Sequence, residues 1–155
     1  MRSTIVRLGS CSLAALLLAS CAGTKVLRPP APPDTDWSNA ETVTVKLADF
    51  EYQPEKLELK VRHPIHLVLV NTGSGEHDFS APAFFSAVMY RPGSVVAPDG
   101  DIVVPEGQSK SVDILPIAGG TYDLECTEFL HSLFGMTGKI EVDASNGQTP
   151  LTLNR

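Results

Sequence analysis

Short alternating apolar segments, each closed off by Pro or Gly, limit what this chain can fold into more than any other feature. Val43, Val45 and Leu47 alternate with Thr44, Lys46 and Ala48, the period of a half-buried strand. Leu57, Leu59 and Val61 repeat the pattern. Ile65 to Val70 is more continuously apolar, as expected of a central strand or one covered on both faces. Further strand candidates are Ile102 to Val104, Ser111 to Ile114, Thr121 to Cys126 and Lys139 to Val142. Between them stand Pro92-Gly93, Pro98-Asp99-Gly100, Pro105-Glu106-Gly107 and Gly119-Gly120. Many short strands between turn signals predict an all-β sandwich or barrel. The stretch from Val43 to Val142, about one hundred residues, suffices for one such core. Pro82 to Val88 reads as a short helical turn, because Pro suits the first position of a helix. No internal repeat is visible.

The segment joining the last two strand candidates carries unusual chemistry. Cys126, His131 and Met136 recur there at five-residue steps. A loop of that length can fold a thiolate, an imidazole and a thioether around one ion. A second imidazole, His77, lies upstream in Asn71-Thr72-Gly73-Ser74-Gly75-Glu76-His77-Asp78-Phe79. Two histidines, a cysteine and a weak axial methionine are the ligand set of a blue-copper site. Taken singly, each residue is explained by ordinary packing; a lone Cys is usually a buried apolar filler. Their co-location in one loop argues otherwise, because the chain has only three methionines and one is the initiator. Thiolate and imidazole hold both Cu(I) and Cu(II), so one compromise geometry lets the metal change charge with little rearrangement.

With these residues in view, the chain resembles a small cupredoxin of the plastocyanin and azurin superfamily. The likeness runs from Val43 to Val142. Leu47-Ala48-Asp49-Phe50-Glu51-Tyr52-Gln53-Pro54-Glu55-Lys56-Leu57-Glu58-Leu59 is similar to the family's opening strand, Phe-x-Pro turn and second strand. Asn71 to Phe79 matches the family's strand end, turn and first histidine ligand. The Cys126 loop matches its Cys-x4-His-x4-Met spacing. The resemblance implies a Greek-key β-sandwich or barrel. It also implies one type 1 copper ion held by His77, Cys126, His131 and axial Met136, with electrons leaving through the His131 edge.

There are departures from the pattern. Many relatives have Pro-Gly before the loop histidine, whereas Phe129-Leu130 stands here. The family often has Asn after the first histidine, to tie the two ligand loops together. Asp78 occupies that place, and an ionised carboxylate can only accept hydrogen bonds. The groups that orient the ligands, and with them the potential, are expected to differ.

The N-terminal region reads as an export signal over residues 1–20: Arg2 and Arg7, then a short apolar stretch from Leu13 to Ala19. That stretch is too short to span a bilayer as a mature helix. It ends in Leu18-Ala19-Ser20-Cys21, which resembles a bacterial lipobox and implies lipidation of Cys21. Residues 21–42 contain Arg28-Pro29-Pro30-Ala31-Pro32-Pro33 and read as an extended tether. The domain then covers 43–143, and 144–155 reads as a polar C-terminal tail. Loss of Cys11 with the signal and lipidation of Cys21 would leave Cys126 as the domain's single thiol. Such a thiol in an oxidising compartment calls for burial or a metal. Removing residues 1–20 takes away Arg2 and Arg7 and no acid, so the net charge goes from −6 to −8. An acidic surface argues against nucleic acid as a partner.

Other chemistries fit less well. His63 and His66 flank Pro64, and alternation places His66 on a strand face while His63 stays at the turn. Four histidines are too few for the trinuclear cluster of a multicopper oxidase. No Gly-x-Ser-x-Gly elbow and no Gly-rich phosphate loop are present. The expected function is therefore that of a non-enzymatic carrier: a monomeric, periplasmic, lipid-anchored copper protein passing single electrons between redox protein partners. The alternative is copper binding for delivery, buffering or resistance; a permanently docked subunit of a respiratory enzyme is a third reading. Leu130 and Leu133, joined by Phe84 or Phe85, are expected to form an apolar docking patch around His131.

Overall fold

The structure is a computed structural model and describes residues 30–94, 99–128 and 135–145. Ten strands, one short α-helix and one 3-10 turn at Trp37–Asn39 are found among them. In chain order the strands are β1 (Glu41–Ala48), β2 (Glu51–Gln53), β3 (Lys56–Lys60), β4 (Ile65–Asn71), β5 (His77–Ser80), β6 (Val88–Tyr90), β7 (Asp101–Val104), β8 (Ser109–Pro116), β9 (Gly120–Glu125) and β10 (Thr137–Asp143). The helix α1 spans Pro82–Ser86, with Pro at its start. One five-stranded sheet has the order β2-β1-β4-β8-β6, and the other β3-β10-β9-β5-β7. The result is a β-sandwich, as the punctuated alternation predicts.

Two pairings are parallel: β1 with β4 from Glu41↔Ile65 to Leu47↔Asn71, and β10 with β3 from Lys139↔Lys56 to Asp143↔Lys60. The other ladders are antiparallel. The core lies between the sheets. Val45 and Leu47 of β1, Ile65, Leu67 and Leu69 of β4, and Val112 and Ile114 of β8 face Leu57, Leu59, Phe79, Leu124, Ile140 and Val142 of the other sheet. Each such side chain, fully buried, contributes roughly 1.5–3 kcal/mol. Strand β4 alternates buried and half-buried residues along its whole length, so it is a central strand with one face fully covered.

Two readings of the sequence are revised. The stretch from Pro30 to Ala40, expected to belong to the extended tether, lies against the sandwich. Ala31 is buried and its N–H donates to the Tyr90 carbonyl at 2.8 Å. The Arg91 guanidinium sits 5.8 Å from the Trp37 ring centre, and β1 starts at Glu41 rather than Val43. A proline-rich segment has little conformational freedom to lose on docking, and one backbone hydrogen bond and one ring contact hold it. Phe84 and Phe85 do not join a docking patch. Both are buried, at 1% and 2% exposure. Their rings pack edge-on or tilted against Tyr122, Phe79 and each other at 5.3–6.0 Å between centres, because α1 turns both into the core. Residues 1–29, with the signal and Cys21, lie outside the described residues, as do Leu130 and Leu133. So does the tail beyond Ser145.

Candidate metal centre

Three of the four residues singled out by the sequence come together at one end of the sandwich. His77 opens β5, Cys126 follows β9 directly, and Met136 directly precedes β10. All three are fully buried. The His77 Nδ1 atom lies 4.0 Å from Cys126 Sγ. The Cys126 N–H donates to the Met136 carbonyl at 3.1 Å, one step beyond the Thr137↔Glu125 pair that ends the β9–β10 ladder. The ladder therefore delivers the thiol and the thioether to the same place. His131 lies outside the described residues.

The donors fit a small borderline-soft ion. Typical metal–sulfur and metal–nitrogen bonds of about 2.3 and 2.1 Å sum to slightly more than the separation of Sγ and Nδ1. One ion between them can therefore reach both. Among the described residues no group of three or more His, Cys, Asp or Glu is placed to hold a metal ion, at this end or elsewhere. His63 instead faces Glu41 at 3.4 Å, and His66 faces Asp113 at 2.6 Å.

The segments that carry His77 and Cys126 are tied by Asp78. Its carboxylate accepts from the Thr127 N–H at 2.8 Å and from the Thr127 hydroxyl at 2.5 Å. The acceptor-only residue thus meets a donor pair on the neighbouring segment, and the tie survives the exchange of Asn for Asp. Tyr52 supports it from below: its hydroxyl donates to the Asp78 carbonyl at 2.6 Å, and its ring meets Phe79 edge-on. Burial, with the neighbouring negative charges, holds the Tyr52 phenol protonated far above its ordinary range.

Asn71 shapes the turn that presents His77. Its side-chain amide donates to the carbonyls of Gly75 and Val104, both at 2.8 Å, while its oxygen accepts from the Gly73 N–H at 3.0 Å. The backbone N–H groups of Thr72 and Gly73 donate to the Leu47 carbonyl at 2.8 and 3.1 Å. Gly75 takes a φ of 82°, a conformation that glycine adopts without strain. Desolvation raises the Cys126 thiol above its ordinary pKa. The backbone N–H groups of Asp78 and Glu128 pull it back, and the carboxylates of the same residues push it up.

Sequence reasoning missed Asp49. Its carboxylate reaches His77 Nε2 at 3.3 Å from a corner 28 residues away. The only signal was its place in the Leu47–Leu59 segment, which carried no hint of contact with the histidine.

A family profile described as Cupredoxin-like domain matches residues 11–142. The chain belongs to the cupredoxin family. Its fold is similar to that of dithionite-reduced auracyanin from the photosynthetic bacterium Roseiflexus castenholzii. That similarity has 15% identity and a TM-score of 0.52, covering 67% of this chain and 98% of that one. Auracyanin B is similar at 25% identity and a TM-score of 0.52, covering 68% of this chain and 90% of that one. No curated protein sequence matches the chain.

Proposed function

We propose that this cupredoxin binds one copper ion through His77, Cys126, His131 and Met136 and carries single electrons between redox proteins. The observation that carries the proposal is the buried pair of Cys126 Sγ and His77 Nδ1, 4.0 Å apart, beside Met136. Family membership and the likeness to auracyanins support it. Copper held there supplies a one-electron Cu(I)/Cu(II) couple.

The chain's own residues make that couple usable. The Cys126 thiol, its pKa raised, keeps its proton in the metal-free protein and must release it on binding, so loading is pH-dependent. The Asp78–Thr127 tie and the Asn71 turn hold the two ligand segments against movement when the charge changes. Met136, fully buried, brings a weak thioether donor and shields the centre from water. Export and a lipid anchor on Cys21 would place the domain at the periplasmic face of a membrane. Among the described residues no helix is long and apolar enough to cross one. Mass spectrometry of the mature N-terminus, with Cys21→Ser as the unlipidated control, tests that anchor.

The visible spectrum of the copper-loaded, oxidised protein tests the central claim. An intense thiolate-to-copper band is expected, and Cys126→Ser abolishes it, since an alcohol cannot replace the thiolate. A colourless protein in which electron spin resonance detects bound Cu(II) would rule out the proposed centre. Met136→Leu should keep the band and raise the midpoint potential, because losing a donor disfavours Cu(II).

A further inference from the structure

The proposal above accounts for one nitrogen of His77, and the other has a partner of its own. Asp49 sits at the corner between β1 and β2. Its Oδ1 accepts from the Ser74 N–H at 2.7 Å, and its Oδ2 accepts from the Ser74 hydroxyl at 3.0 Å. The same Oδ1 lies 3.3 Å from His77 Nε2. The His77 ring is fully buried while the Asp49 side chain is 48% exposed, so the contact runs from the buried centre to the surface.

Gly73 gives a second, independent observation. A Cβ at this position would stand 2.5 Å from both Asp49 Oδ1 and His77 Nε2, and 2.9 Å from the Asp49 backbone nitrogen. Any side chain there would wedge the imidazole and the carboxylate apart. Gly73 does not lie in the left-handed region, so space rather than backbone conformation requires glycine. The turn also cannot drift, because Thr72 and Gly73 are bonded to the Leu47 carbonyl.

A neutral imidazole has one N–H and one lone pair. A carboxylate only accepts, so the nitrogen facing Asp49 must be the one that carries hydrogen. The lone pair then sits on Nδ1, on the side of Cys126. We propose that Asp49 is a positioning residue of the metal centre: it fixes the His77 tautomer and ring orientation and strengthens His77 as a donor to the oxidised ion. Partners of this kind orient metal-bound histidines generally, and their loss costs about 10–100-fold in metal affinity. The inference rests on the copper reading for its effect on potential, but not for its effect on the tautomer.

The experiment combines two readouts. In the metal-free protein, imidazole nitrogen chemical shifts report which His77 nitrogen carries hydrogen. In the copper-loaded protein, voltammetry reports the midpoint potential. Wild type should show hydrogen on Nε2, and Asp49→Ala should populate the Nδ1–H form. Asp49→Ala and Gly73→Ala should raise the potential and weaken copper about tenfold. Asp49→Asn, which keeps an acceptor oxygen without the charge, should keep the tautomer and shift the potential by less. Glu51→Gln removes a nearby exposed carboxylate bonded to Gln53, and measures the effect of charge through space alone. Hydrogen on Nδ1 in the wild type overturns the proposal. So does an Asp49→Ala potential no different from that of Glu51→Gln. If wild type shows no thiolate band at all, the copper reading fails, and the tautomer still decides the role of Asp49.

Discussion

His66 and His77 each face a carboxylate, yet they belong to two different kinds of region. His66 approaches Asp113 more closely, at 2.6 Å against 3.3 Å for His77 and Asp49. By distance alone the His66 pair looks stronger. Its imidazole is 41% exposed, however, and Asp113 also accepts from Arg91 at 3.2 Å on the surface. The His77 ring is fully buried, with a carboxylate at one nitrogen and the Cys126 sulfur at the other. Water reaches the imidazole of the first pair, whereas in the second it reaches only the carboxylate. What distinguishes a site from a surface ion pair is the burial of the ring and the identity of the atom at its far side.

The sharpest way to break this comparison is to delete each ring. His77→Ala should abolish the thiolate-to-copper band, while His66→Ala should leave band and copper stoichiometry unchanged. Comparable losses from both would erase the distinction. The next largest contrast is between the two carboxylates that link strands. Asp78→Ala removes a buried, charged acceptor of two hydrogen bonds and should cost about 2–3 kcal/mol in denaturant unfolding of the metal-free protein. Asp113→Ala, acting on partly exposed partners, should cost about 1 kcal/mol or less. Equal costs would show that the far region is as tightly built as the site. Salt sharpens the contrast further: raising it from 0.05 to about 0.5 M should shrink the Asp113→Ala effect and leave that of Asp78→Ala nearly unchanged. The smallest expected effect is at Asp143. The Ser145 hydroxyl and N–H hold its carboxyl below the ordinary range. A depressed carboxyl pKa contributes stability that is present above the unfolded value, about 4, and lost as pH falls through the folded one. Asp143→Ala should therefore slightly lower stability at neutral pH, with the loss fading as pH falls through the folded pKa, so the acid limb of a stability-versus-pH curve is slightly flattened.

The parts of this molecule legible in the sequence are those set by local pattern. Alternation at Val43, Val45 and Leu47 and at Leu57 and Leu59 marked β1 and β3, and Pro82 marked α1. The spacing of Cys126 and Met136 marked the loop ends that the β9–β10 ladder brings together. The short strands β2, β5 and β6 were not legible: three or four residues carry little periodicity, and no Pro-Xaa-Gly turns bracket them as Pro98-Asp99-Gly100 and Pro105-Glu106-Gly107 bracket β7. The partners of the donors were hidden for a different reason. Asp49 meets His77, and Asp78 meets Thr127, only after strands distant in sequence have paired. Burial of Phe84 and Phe85 was likewise a consequence of where α1 docks, and neighbouring residues could not announce it. Docking of Pro30 and Ala31 on Tyr90 depended on an edge strand, β6, that the sequence did not disclose.

The place of β10 in its sheet bears on how a growing chain can be completed. The last described strand is not at an edge: it lies between β3 and β9, and β3 has no other ladder partner among the described residues. A chain extended only to Glu128 already contains His77 and Cys126. It lacks Met136 and the strand that joins β3 to the rest of its sheet. During synthesis β3 therefore waits for β10, with its edges open to wrong partners. The ladder that closes the sheet is the one that brings Met136 beside Cys126, so both are set in the same late step. Truncation before Thr137 would remove two strands from the sheet at once, not one.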